Sequence, residues 1–169
     1  MKFLHVLVNP LWRVCPLLLF PPSALLVGQT LHLSRATTSP GEPVAMEISF
    51  ESPTDRETSA LQWETTIPSA KLIFLDNNSS IGPAARAAGK SLSCSVKAKT
   101  ADTKTLVCIL YGGLGTIHDG LVAVMHLKVL PGASPGKAIV RVDEALAVSK
   151  DLKRFPIKAA ETAVTIRSK

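Results

Sequence analysis

Val44-Ala45-Met46-Glu47-Ile48-Ser49-Phe50-Glu51 alternates residue by residue between two kinds of side chain. Neighbouring side chains of a strand point to opposite faces, so Val44, Met46, Ile48 and Phe50 share one face and Ala45, Glu47, Ser49 and Glu51 the other. A helix would bring apolar residues together at spacings of three and four, which this stretch does not do. The segment therefore reads as a strand with one face against a core and the other in water.

The same grammar continues on both sides. Upstream, Leu31 and Leu33 alternate with polar neighbours before the turn signal Ser39-Pro40-Gly41. Downstream, a polar loop through Ser52-Pro53-Thr54-Asp55 leads to Leu61, Trp63 and Thr65, which alternate with Gln62 and Glu64. Residues 71–75 form a short apolar run that ends at Asp76-Asn77-Asn78-Ser79-Ser80, a dense cluster of turn-formers. Further strands are expected over 91–96, 105–110, 121–130, 138–148 and 162–167. In the 121–130 segment Leu121, Ala123, Met125, Leu127 and Val129 share a face, with His126 and Lys128 opposite. Only residues 81–90 suit a helical turn, near 83–88, opened by Pro83 and closed by Gly89. Strand signals recurring about every ten residues, with turn chemistry between them, predict an all-β, two-sheet β-sandwich of about nine strands.

Residues 1–30 read differently. Lys2 and Arg13 precede an apolar stretch from Val14 to Val27 that is interrupted by Pro16, Pro21 and Pro22. A membrane span needs about 20 apolar residues without such breaks. The segment is expected to be a signal peptide or, if uncleaved, an N-terminal anchor, with residues 31–169 as the domain. That placement predicts a secreted, extracellular or periplasmic protein, with cell-surface attachment as a further option. Removing Lys2 and Arg13 from the 19 basic residues leaves 17 against 13 acidic ones, scattered along the chain. Nucleic-acid binding needs cations gathered on one face or helix, so no nucleic-acid partner is expected.

Export also decides how the cysteines are read. Cys15 lies in the leading segment, which leaves Cys94 and Cys108. A pair in an oxidising compartment favours a disulfide over a metal site, the alternative being two reduced core thiols. If the two face each other across an antiparallel hairpin, Leu92 falls opposite Leu110 and Val96 opposite Leu106. Directly opposed residues have Cα atoms about 4.5–5.5 Å apart, within reach of a disulfide.

The order of segments resembles the cohesin and cohesin-like modules. Ser39-Pro40-Gly41-Glu42-Pro43-Val44 is similar to that family's Gly-Asp/Glu-x-Val strand entry, and Ala60-Leu61-Gln62-Trp63 to its Gly-x-Gln-Phe strand. Asp119-Gly120-Leu121-Val122-Ala123 resembles its Gly-x-Leu-Ala strand, and Glu161-Thr162-Ala163-Val164-Thr165-Ile166 its closing Gly-x-Val-Thr-Val. A bacterial cohesin-like subgroup is similar in the middle, from Gly82-Pro83-Ala84-Ala85 through Cys94 and Cys108 to Gly115-Thr116-Ile117. The resemblance implies a jelly-roll topology, a bacterial exported setting linked to polysaccharide binding or breakdown, and a role in protein–protein interaction or surface scaffolding. The implied partner is a dockerin-like protein; a polysaccharide is the alternative, with the chain then a carbohydrate-binding module.

No pattern of catalysis stands beside this. His32, His118 and His126 fall in no metal-binding spacing, there is no Gly-x-Ser-x-Gly elbow, and no pair of carboxylates is singled out. Asp76-Asn77-Asn78 lacks the spaced carboxylates of a calcium loop. Neither enzymatic activity nor a cofactor is expected. Tyr111 and Trp63 are the candidate ligand-binding rings, with Trp63 placed on the same face as Leu61 and hence toward the core. Tyr111-Gly112-Gly113-Leu114-Gly115 reads as a flexible connection.

Overall fold

In the computed structural model, which describes residues 28–53, 56–98, 100–158 and 160–168, the alternating segment is the strand it was expected to be. The expected leader lies outside these residues up to position 27. In chain order the elements are β1 (Thr30–Leu33), β2 (Ala36–Thr38), β3 (Pro43–Glu51), β4 (Thr58–Pro68), β5 (Leu72–Ile81) and α1 (Pro83–Ala87). They continue with β6 (Ser91–Ala98), β7 (Thr103–Tyr111), β8 (Gly120–Val129), β9 (Gly136–Ser149), β10 (Arg154–Pro156) and β11 (Glu161–Ile166).

Two sheets face each other. The smaller runs β1-β3-β8-β5, and the larger runs β2-β11-β9-β4-β7-β6, with β10 also pairing β9. All pairings are antiparallel except β2 with β11. The inner faces meet as the alternation requires. Met46, Ile48 and Phe50 of β3 and Ala123, Met125, Leu127 and Val129 of β8 are buried. Opposite them lie Leu61, Trp63 and Ile67 of β4, Leu106 and Leu110 of β7, and Val140 and Val142 of β9, all buried.

Two details depart from the sequence expectation. β2 and β10 are three residues each, too short to carry a periodic signal. The Asp76–Ser80 cluster does not end a strand but lies within β5 as a bulge. From the pair Phe74↔Leu127 to the pair Ser79↔Met125, β5 spends five steps against two in β8. Asp and Asn bond their own backbone locally, which lets the chain loop out and rejoin the ladder. The helical turn forms as expected on Pro83, and Gly82 fits there because a Cβ would meet the Leu121 carbonyl oxygen at 2.3 Å.

Candidate interaction face

The cysteine hairpin takes the expected register. Cys94 pairs with Cys108, Leu92 with Leu110 and Val96 with Leu106, and the two sulfurs are bonded with the Cα atoms 4.2 Å apart. This disulfide ties the outermost strand of the larger sheet, β6, to β7 from the inner side, where Cys108 is buried.

That leaves the outer side chains of β6, β7, β4 and β9 as one continuous surface, and the strand registers arrange them in rows. One row reads Ser93, Ile109, Gln62, Leu146. Beside it runs Ser95, Val107, Glu64, Glu144, and beside that Lys97, Thr105, Thr66, Arg141 and, on β11, Glu161. Ile109 is 39% exposed and Tyr111 47%, and Val96 and Ile139 are the other large apolar strand residues left open. All four lie in the larger sheet. The outer face of the smaller sheet is polar by contrast: Glu47 and Glu51 are exposed, His32 pairs with Glu51 at 3.2 Å, and His126 contacts Ser80 at 3.2 Å.

The charges on the larger face are specific. Glu64 and Glu144 stand directly opposite each other across β4 and β9, an unfavourable like-charge pair. In the next row the hydroxyls of Thr105 and Thr66 are 2.9 Å apart, and Thr66 donates in turn to the Asp143 carboxylate. Asp143 is the extra residue of a bulge between Glu144 and Val142, which turns it toward Thr66. Past Arg141, the end of the face dips into a hollow of about 530 Å³ between the β4–β5 turn and the β6–β7 turn.

Of the two candidate ligand-binding rings, Trp63 is fully buried at 0% exposure, so its ring offers no platform. Tyr111 is open at the hairpin end, opposite Ser91. The glycine run beyond Tyr111 is held, not loose. Lys90 is buried and its ammonium donates to the carbonyl oxygens of Gly112 at 2.8 Å and Gly113 at 3.2 Å. Burial, and then the charge of Lys150, keep the Lys90 pKa below its ordinary value. Gly113 also presses so closely on Gly89 that a Cβ would meet the Gly89 carbonyl oxygen at 2.4 Å. The outcome is a fixed loop that presents Leu114 at 97% exposure. The sequence signal for this clamp was the pairing of Gly89-Lys90 with a second glycine run, which strand patterning does not weigh. Among the described residues no group of three His, Cys, Asp or Glu side chains converges as a metal site would require.

Neither a protein-family profile nor a curated protein sequence matches the chain. Solved structures do. A cohesin in a type I cohesin–dockerin complex from Clostridium thermocellum superposes with a TM-score of 0.68 at 14% identity, covering 83% of this chain and 99% of that one. The fold is that of a cohesin module. A non-cellulosomal cohesin from the archaeon Archaeoglobus fulgidus gives 0.65 at 11% identity, covering 83% of this chain and 92% of its own. The cohesin module of a Clostridium perfringens family 33 glycoside hydrolase gives 0.64 at 14%, covering 84% and 97%. With the cohesin fold in view, the jelly-roll sandwich expected from the weak motifs is the one observed. Apart from Val96, which opens on the inner side of edge strand β6, the exposed large apolar strand residues of the described structure, Ile109, Tyr111 and Ile139, all lie on the outer face of β9-β4-β7-β6.

Proposed function

We infer that this chain is a non-catalytic, cohesin-like interaction module that docks a protein partner on the outer face of β9-β4-β7-β6. The observation that carries the reading is the confinement of exposed Ile109, Tyr111 and Ile139 to that face, beside the opposed carboxylates Glu64 and Glu144. Interfaces concentrate binding energy in a few apolar and aromatic residues ringed by polar ones. Directly opposed carboxylates are relieved by a cation, so the partner brings a basic side chain between them. A dockerin-like protein is the partner we propose, since the Clostridium thermocellum cohesin of the same fold stands in a complex with a dockerin.

We further propose that the module is exported and works in a polysaccharide-related, cell-surface or secreted setting. Support comes from the apolar leader with Lys2 and Arg13, from the disulfide, and from the glycoside hydrolase that carries the similar Clostridium perfringens module. A carbohydrate-binding role would rest on Tyr111 alone, since Trp63 is buried.

The test is capture from the source secretome and from a panel of dockerins, using wild type and an Ile109→Asp/Glu64→Lys variant. Both changes sit on exposed or half-exposed outer positions, so circular dichroism is expected to stay native. Binding of the captured partner is expected to weaken by at least tenfold, about 1.4 kcal/mol. Unchanged capture by the variant would remove this face from the reading. Retention on polysaccharide that is lost in Tyr111→Ala would replace a protein partner by a sugar.

A further inference from the structure

The hollow at the end of the face has a different character from the apolar strip. Three cationic residues, Lys71, Lys137 and Arg141, line it against one carboxylate, Asp143. Asp143 is already engaged by the Thr66 hydroxyl, and Arg141 meets Glu161 through Nε at 3.0 Å in a pair that is exposed on both sides. An exposed pair of this kind holds its partners only weakly, so Arg141 remains able to turn to a new anion. Lys71 donates to the Lys137 carbonyl oxygen at 3.3 Å, which draws its ammonium across to β9 and uses one of its three donors. The wall on the hairpin side is set by hydrogen bonds between Thr100 and Thr103, hydroxyl to hydroxyl at 2.8 Å and amide to carbonyl at 3.3 Å. Pro68, Ala70 and the exposed Ile139 add apolar surface to the lining.

We propose that this hollow is a carboxylate-binding subsite that takes an acidic residue next to an apolar one from a peptide segment of the docked partner. The proposal rests on the reading of β9-β4-β7-β6 as a docking face, with which Thr66, Ile139 and Arg141 are continuous. Its size, about 530 Å³, lies within the usual range of pockets that enclose a ligand, about 300–1,000 Å³. The cationic side chains select a negative charge, and the aliphatic lining selects a neighbouring apolar side chain. No aromatic ring lines the hollow, so a saccharide would find no stacking surface there. A partner satisfying the whole face therefore carries opposite charges at its two ends: basic over Glu64 and Glu144, acidic over Lys71 and Lys137.

The probes are an acetylated, amidated Leu-Glu-Leu-Asp tetrapeptide, its Leu-Gln-Leu-Asn counterpart and trigalacturonate, each titrated into the ¹⁵N-labelled full chain. The acidic peptide is expected to shift the amides of Thr66, Lys71, Thr103 and Ile139, with a Kd on the order of 1 mM or tighter, and the neutral peptide to bind at least about tenfold more weakly. Lys71→Ala/Lys137→Ala is expected to lose the response about tenfold, while Glu47→Gln, on the outer face of the smaller sheet, leaves it unchanged. Equal binding of the two peptides, no shift at these amides, or binding of trigalacturonate alone overturns the proposal. The docking reading fails separately: if Ile109→Asp/Glu64→Lys does not impair partner capture while the acidic peptide still binds, the face is wrong and the subsite stands.

Discussion

Thr65 and Thr66 are neighbours in β4 and behave as opposites, because adjacent side chains of a strand face different worlds. Thr65 is fully buried between the sheets and its hydroxyl oxygen has no hydrogen-bond partner among the described residues. Thr66 faces outward and links the Thr105 hydroxyl to the Asp143 carboxylate. A buried hydroxyl left unpaired costs about 1–3 kcal/mol, whereas a made hydrogen bond contributes about 1 kcal/mol. Thr65→Val keeps the shape, removes the orphan and suits a strand, so it is expected to raise stability by about 1 kcal/mol. Thr66→Val breaks a chain that also holds a carboxylate and is expected to lower it by about 1–2 kcal/mol. Urea unfolding of both variants checks the pair, and the same sign for the two would contradict this account of the strand. The polarity alternation that exposes this difference was readable in Leu61, Trp63 and Thr65 against Gln62 and Glu64. That Thr65 pairs with nothing was not, since it depends on what the opposite sheet presents.

At the scale of elements, the β6–β7 hairpin shows what local sequence specifies well. Cys94, Leu92 and Val96 all sit at even positions facing Cys108, Leu110 and Leu106, so one assumed pair determined every other. β6 has no strand on its far side, and the disulfide holds it to the sheet. Cys94 and Cys108 are 14 positions apart, and a closed loop of this length restricts the unfolded chain by about 3 kcal/mol in the entropy model. Reduction, or Cys94→Ala/Cys108→Ala, is expected to cost about 2–4 kcal/mol and to free the β6 edge first. Hydrogen exchange of the amides in 91–98 should then accelerate well before those of β4. Uniform loss of protection across both strands would show that the bridge stabilises the whole domain alike and does not pin one edge. The β5 bulge marks the limit of local reading. Asp76-Asn77-Asn78 carries the same turn chemistry whether a strand ends or merely loops out, and only pairing with β8 on both sides distinguishes the two.

At the scale of the molecule, the two ends of the described chain depend on each other. β2 finds its sheet partner in β11, in parallel, and β11 in turn pairs antiparallel with β9. Sequence patterning read the closing strand but missed β2, because three residues of Ala36, Thr37 and Thr38 carry no alternation and a parallel contact across the chain has no local signal. The outer-face site was likewise only partly legible. Gln62 and Glu64 were visible as outward positions, but the rows they form come from four strands brought together by the fold. Val164 and Ile166 of β11 are buried, and each buried aliphatic side chain contributes about 1.5–3 kcal/mol. A domain of this size has only about 5–15 kcal/mol in total. Ending the chain after Ala160 therefore removes a large share of the stability. It also leaves β2 without its partner and uncovers the β9 edge over residues 136–141. Such a chain is expected to aggregate or to give a non-cooperative thermal transition by circular dichroism. Ending it after Ile166 keeps every β11 pair, losing the Arg167 amide bond to the Thr38 carbonyl oxygen, and is expected to melt cooperatively, slightly below the full chain. A cooperative transition at the full-chain temperature for the shorter truncate would mean that β9 closes the sandwich without β11, and that the parallel contact is incidental to the fold.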